Sequence, residues 1–441
     1  MKENIINNGH KSRITIGIIM QVLLLMGGAQ AATITVNASG GGDYTMIQDA
    51  INASNDSDSI IVAAGNYNEN VNVNRSVYLL GEGAGVTEVN ASNSSYHVFN
   101  ISRDGVVLEG FTIKGATGSN KAGIYVYRAN NTSVNSNTLI SNFNGIILYN
   151  SSINNITHNN ILSANEGIYL HGSANNSLTG NNVSNSYDGI YLYSSDYNIV
   201  TDNIAESNKR FGILLYFSGN NSLRNNSINL NQNQGVQIYG SGYNNLTENT
   251  IKSNKNQGIY LFYTGNNSIF NNILNNTINF IIDISGSNVW NMTGIPNTNI
   301  IGGPYLGGNF WGNPSGTGFS QTCIDNNIDG FCDSSYSMNS KNADYFPLTV
   351  SRGYLNGSVT SNGSAVQGTY IYTTGSNTTS GPDGKYSLIL SAGTYNITAT
   401  RQPAHNDSTA AGIIVNPYNT TTFDIALSQK PTGTISGTVM I

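Results

Sequence analysis

Three groups of residues in this chain have types and spacings suited to chemistry. Glu166 and Asp188 each stand directly before a Gly-Ile-Tyr-Leu phrase, one repeat apart, and Arg210 lies near the same place one repeat later. Two stacked carboxylates at strand spacing suit a calcium ion or a polysaccharide held through one, and a neighbouring Arg suits the base of a lyase acting on acidic sugars. The competing reading is isolated, solvated charge. The second group is aromatic. Tyr125, Tyr169 and Tyr191 recur two residues after a repeat glycine, and Tyr127, Tyr149, His171, Tyr193, Tyr216 and Tyr239 recur four residues after it. The third is the run from Asp325 to Asp333, in which Asp325, Asn327, Asp329 and Asp333 stand at alternate positions around Gly330, the order of the first half of a calcium loop. Its twelfth position is Tyr336, so the bidentate acid is missing. A disulfide between Cys323 and Cys332 would supply rigidity instead.

A repeat must position the first two groups. Phrases of the type Gly-Ile-Tyr-Leu-Tyr begin at Gly123, Gly145, Gly167, Gly189, Gly212, Gly235 and Gly258, in steps of twenty-two or twenty-three residues. A period in the low twenties with alternating, strand-like patterning means that each unit must bury its apolar side against its neighbours. The leucine and helix pattern of a leucine-rich repeat is missing, which leaves an all-β fold, a right-handed parallel β-helix with one coil per repeat. Eleven residues after each glycine stand Val134, Ile156, Leu178, Val200, Leu223, Leu246 and Ile269, an inward apolar column. Fourteen residues after it stand Asn137, Asn159, Asn181, Asn203, Asn226, Asn249 and Asn272, as an amide ladder requires. Alternation sends the Tyr columns outward and exposes them, where rings about 4.8 Å apart would either receive sugar rings or stabilise the sheet by stacking on each other.

Composition narrows the class. Charged residues are 10 % of the chain and the net charge is -6, which offers no basic field for nucleic acid. Lys2, Lys11 and Arg13 precede an apolar run from Ile14 to Met26 that ends in Ala29-Gln30-Ala31, the pattern of a signal peptide over residues 1–31. Roughly twenty-five Asn-x-Ser/Thr sequons and the two closely spaced cysteines agree with export, to the cell surface or medium, and no second apolar segment would anchor the chain in a membrane.

The opening, Gly42-Asp43-Tyr44-Thr45-Met46-Ile47-Gln48-Asp49-Ala50-Ile51 followed by Ile60-Ile61-Val62, Gly65-Asn66-Tyr67-Asn68-Glu69-Asn70-Val71 and Leu80-Gly81-Glu82-Gly83, resembles that of secreted β-helix proteins such as pectin methylesterases and polysaccharide lyases. With the Gly-Ile-Tyr-Leu coils, Gly308-Asn309-Phe310-Trp311 and Asp344-Tyr345-Phe346-Pro347-Leu348, residues 33 to 349 resemble the NosD-like β-helix family found in surface proteins of methanogenic archaea. The resemblance implies a β-helix over 32–349, with a helical cap near 41–53, regular coils over 123–285 and a closing region at 302–349. It does not carry an activity, because such folds host many functions. Neither the Asp-rich motifs of polygalacturonases nor the Gln, Asp and Arg set of pectin methylesterases can be placed here. The NosD name also implies copper handling, yet His97, His158, His171 and His405 are scattered, as are Met46, Met292, Met338 and Met440.

From Gly353 the pattern changes to short alternating strands with turns between them. Residues 353–428 resemble the carboxypeptidase regulatory-like domain, a small antiparallel sandwich that carries no chemistry in most proteins. Gly433-Thr434-Ile435-Ser436-Gly437 repeats its start, so 432–441 reads as a truncated second copy. The expected function is a non-catalytic surface or envelope protein that binds a polysaccharide or cell-envelope glycan. A polysaccharide lyase using Glu166, Asp188 and Arg210 stands second and a copper-handling protein third. Calcium is the one cofactor the residues suggest.

Overall fold

Inward and outward residues alternate along each phrase, so a coil can close only by turning its apolar side into a common interior. The computed structural model describes residues 31–350 and 352–431, and in it the chain winds into a parallel β-solenoid of about eleven turns. The expected leader, apart from Ala31, and the short segment 432–441 lie outside the described residues. Three parallel sheets of 11, 10 and 11 strands run the length of the solenoid. The glycine phrases form the ten-stranded sheet, with Ala122–Tyr127, Asn144–Tyr149, Glu166–His171 and Asp188–Tyr193 in direct register. Ile168, Leu170, Leu178 and Val183 from one coil meet in the interior, each fully buried.

The repeat glycines face crowding rather than unusual dihedrals. A Cβ on Gly235 would lie 2.8 Å from both the Gly258 carbonyl oxygen and Ile251 Cγ2, so the coil corner has room for hydrogen alone. In the coils from Gly123 to Gly235, four residues per coil turn through positive φ. In the coil of Gly189 they are Ser194, Tyr197, Asp202 and Ser207, and corner positions of this kind favour Asn, Asp, Ser and Gly.

Solenoid strands begin at Thr33, well before the glycine phrases start at 123. The early coils keep the inward column, through Leu79 and Leu108, but lack the phrase that marks the later ones. The capping helix is shorter than the expected 41–53, running over Ile47–Ala53. Residues before it are held on the first strand, where the Asp43 carboxylate accepts the Thr35 N–H at 2.8 Å and Tyr44 bridges to Val36. The helix has no side-chain cap of its own. Glu69, from the next coil, accepts the N–H groups of Ile47 at 2.8 Å and Gln48 at 2.9 Å, while burial raises its pKa. Glu69→Ala is expected to cost about 2 kcal/mol, because a charge-assisted cap of two orphan N–H groups is lost. Urea unfolding checks this, and Glu69→Gln should recover part of the loss.

At the far end Trp290 and Trp311 fill the last coils. The buried Asp344 carboxylate accepts Trp311 Nε1–H and the Asn309 N–H at 2.8 Å each, and the Phe346 N–H at 3.1 Å. Beyond it lie two separate sheets around Leu355, Ile371, Leu388 and Ile397. Their hairpin pairs are antiparallel, but the long strand Arg352–Ser361 also takes Thr420–Thr422 and Ile425–Ala426 in parallel, which the antiparallel expectation lacked. Arg352 Nη2 donates to the Cys323 carbonyl at 3.0 Å and so ties this strand to the end of the solenoid.

Candidate functional site

The outward side chains of the ten-stranded sheet form two columns. Four residues after each glycine, the rings of Tyr127, Tyr149, His171, Tyr193, Tyr216, Tyr239 and Phe262 follow one another at centroid separations of 5.9, 4.6, 4.9, 5.6, 4.5 and 5.2 Å. Parallel strands hold equivalent side chains about 4.8 Å apart, so the column follows from register alone. The second column is broken. Tyr125 stacks on His97 at 4.2 Å and Tyr169 on Tyr191 at 5.0 Å, but Ile147, Leu214 and Gln237 interrupt it. All these Tyr rings are half-buried rather than exposed as expected, because the side chains in register on neighbouring coils, rings in the first column and partly Ile147 and Leu214 in the second, cover their faces. Burial raises the Tyr169 pKa to about 12 and raises that of Tyr191 as well, so both phenols stay neutral hydrogen-bond donors. The His97 ring is held neutral by burial and then by nearby Lys121, its pKa lowered to about 4, and its Nδ1 accepts the Ala122 N–H at 3.0 Å. Sequence patterning did not single out His97, which stands outside the repeats and yet starts the stack.

Glu166 and Asp188 pair in register across adjacent coils, and Arg210 joins them. Asp188 is fully buried, with Oδ1 accepting Arg210 Nε–H at 2.7 Å and Oδ2 contacting Arg210 Nη2. The guanidinium lies 4.8 Å from the Tyr187 ring centroid and 4.5 Å from that of Phe211. The bond to Asp188 raises the Arg210 pKa and holds the guanidinium on that carboxylate. Burial raises the Glu166 pKa, with the Asp188 charge adding to the effect. Asp188 and Arg210 form an ion pair beside the ring columns, with Glu166 one coil away from it. Arg210→Ala is expected to destabilise the fold by about 2–3 kcal/mol, since it strands a buried carboxylate while the guanidinium it removes is itself partly exposed. Thermal unfolding checks this, and adding Asp188→Asn should restore most of the loss.

In the loop, Asp325 accepts the N–H groups of Asp329 at 3.2 Å and Gly330 at 3.1 Å. Asp329 accepts the Phe331 N–H at 2.9 Å and Asn327 Nδ2–H at 2.9 Å, while Asp333 accepts Asn326 Nδ2–H at 2.6 Å. These bonds order the loop and use only part of the lone-pair capacity of each carboxylate. Among the described residues no three His, Cys, Asp or Glu side chains are grouped as metal ligands. Cys323 and Cys332 form a disulfide across this loop.

The asparagine column is buried and bonded from coil to coil. Asn203 Oδ1 accepts both the N–H and Nδ2–H of Asn181, and Asn203 donates in the same way to Asn226 Oδ1. The column runs on past Asn272 to Asn309 in the closing region. Two further ladders were not read from the sequence. One runs through Asn154, Asn176, Asn198, Asn221, Asn244 and Asn267, and the other through Asn208, Asn231, Asn254 and Asn276. The first keeps a constant offset of nine from the repeat glycine, so extending the same count would have found it.

The profile of a family described as periplasmic copper-binding protein (NosD) matches residues 51–210 and 195–316. A protein named cell surface glycoprotein from Methanothermus fervidus is 31 % identical over 133 residues, 30 % of this chain and 21 % of that protein. The chain thus spans about a fifth of that relative's length. The crystal structure of the periplasmic alginate epimerase AlgG aligns at 17 % identity over 52 % of this chain and 73 % of its own, with a TM-score of 0.34. That of the Dettilon tailspike protein aligns at 12 % identity over 82 % and 77 %, with a TM-score of 0.49. Among the described residues the donors are not grouped as the copper of the family description would require. His97 Nδ1 is occupied by the Ala122 N–H, His171 Nδ1 bonds Tyr169 Oη at 3.1 Å, and both cysteines are spent in the disulfide.

Proposed function

The chain belongs to the NosD family, and on that premise we propose that it is a non-catalytic surface or envelope protein whose ring-lined sheet binds an extended polysaccharide. The supporting observation is the unbroken column from Tyr127 to Phe262, which repeats one ring per strand along a rigid face. Apolar ring faces with neutral phenol donors beside them suit the alternating apolar and hydroxyl surfaces of sugars. The Asp188–Arg210 pair ties up the guanidinium beside the middle of the strip, while the exposed Arg128 guanidinium lies 5.2 Å from the Tyr127 ring centroid at its start. Export and surface location agree with the name of the Methanothermus relative and with the periplasmic description of the family. No helix among the described residues is long and apolar enough to cross a membrane.

The full chain on a glycan array, followed by titration with the best polymer, tests this proposal. Tyr149→Ala with Tyr193→Ala is expected to raise Kd about tenfold or more, because two stacking platforms each contribute about 1 kcal/mol. Unaltered affinity in that variant, or no polymer bound at all, would mean that the rings serve only the sheet.

A further inference from the structure

We propose that Asn131, Asn175, Asn220 and Asn266 carry N-linked glycans, forming a row of sugars along one corner of the solenoid. A sequon sets its hydroxyl residue two positions after the acceptor Asn, and along a strand two positions on means the same side. The ladder asparagines face the interior, and so do the residues two positions after them, such as Leu139 after Asn137, Val183 after Asn181 and Ile251 after Asn249. No ladder Asn therefore falls in a sequon, although the coils are rich in both Asn and Ser. The sequons of the coils are left to residues that point outward.

Four of them share one structural position. Asn131, Asn175, Asn220 and Asn266 each stand eight residues after a repeat glycine, are exposed, and turn the corner at φ between 53° and 58°. Their hydroxyl partners Ser133, Ser177, Ser222 and Ser268 open the next strand and are half-buried on its outer side. The four lie on alternate coils, so neighbouring sugars would stand about 10 Å apart, enough for side-by-side glycans.

The coils between them point to the same ligand. There the corner is Ile153, Tyr197 and Tyr243, exposed by 58, 58 and 67 % and likewise at positive φ. Bulky side chains rarely adopt that conformation, and apolar ones gain nothing from facing water. One strand spacing from a sugar on either side, each offers an apolar surface for it to cover. The donor would be a lipid-phosphate-linked oligosaccharide used by an oligosaccharyltransferase. The Asn Nδ2–C1 bond forms with loss of one amide proton, and the C1–O bond to the lipid phosphate breaks, the phosphate leaving with the electron pair. The step involves no change of oxidation state.

This inference rests on export but not on glycan binding by the aromatic sheet. The full chain, placed behind a yeast secretion leader and purified from the medium, is digested and mapped for glycopeptides. Sugar is expected at all four positions, and Ser222→Ala should remove it from Asn220 alone. Bare asparagines at the row overturn the proposal, whether sugar is found at Asn362 and Asn377 or nowhere. Retention of the chain behind its own leader in its own host would count against surface location, whatever the map from yeast shows. In the glycosylated protein, Tyr197→Ser should lower Tm, and it should have no effect once Ser177→Ala and Ser222→Ala have removed the flanking sugars. An equal effect in both backgrounds would overturn the packing of sugar on Tyr197.

Discussion

Leu178→Asp is expected to abolish folding. Leu178 is fully buried, lies in register between Ile156 and Val200, and gives its carbonyl to Asn203 Nδ2–H at 2.8 Å. An unpaired carboxylate in that layer costs on the order of 5 kcal/mol, comparable with the whole stability of many domains. The effect spreads, because each coil contacts only the coils above and below and cannot bury its apolar side alone. Tyr191→Asp is the matched control on the outward side. It loses the stack on Tyr169 but keeps water access, and should leave a folded protein weaker by about 1–2 kcal/mol. Circular dichroism through a thermal ramp separates the two variants. Equal tolerance of both changes would show that the assignment of inside and outside is wrong.

Asn203→Leu should be nearly as damaging, even though it places an apolar residue in an interior. Asn203 Nδ2 donates to the carbonyls of Leu178 and Thr201 and to Asn226 Oδ1, at 2.8, 2.9 and 3.1 Å. Its Oδ1 accepts two bonds from Asn181. Leucine satisfies none of these groups, and each buried donor or acceptor left unmade costs about 1–3 kcal/mol. Some of them have other partners, so a loss of about 3–5 kcal/mol is expected in urea unfolding. Asn182→Leu, one coil earlier and half-buried on the outer side, should fall within about 1 kcal/mol of the unmodified chain. A midpoint for Asn203→Leu matching that of Asn182→Leu would reduce the ladder to an accident of composition.

The parallel solenoid is legible in the sequence because its signal is periodic. The repeat glycines, the apolar column through Leu178 and the asparagines from Asn137 to Asn272 recur at fixed offsets, and in a stacked coil a fixed offset is a fixed place in space. The inward or outward sense of Tyr191 and Leu178 followed from the same count. The sheet bound by Arg352 was less legible, since nothing local announces that Thr420–Thr422 returns in parallel beside Tyr354. Contacts that join residues of different periods had to await the fold. Glu69 caps a helix twenty-two residues earlier, and Asp344 gathers N–H groups from Asn309 and Trp311 across the closing end. The same holds for the proposed chemistry. Spacing placed Glu166, Asp188 and Arg210 near one another, but only the corner geometry turned Arg210 onto a buried Asp188, since a side chain's direction and dielectric surroundings depend on its neighbours in space. In the 325–333 loop, sequence set the order of the oxygens, whereas the tertiary turn decided that they face backbone and side-chain N–H groups. Periodicity is carried by the chain itself; partnership between unrelated segments is decided by where the coils and loops bring them.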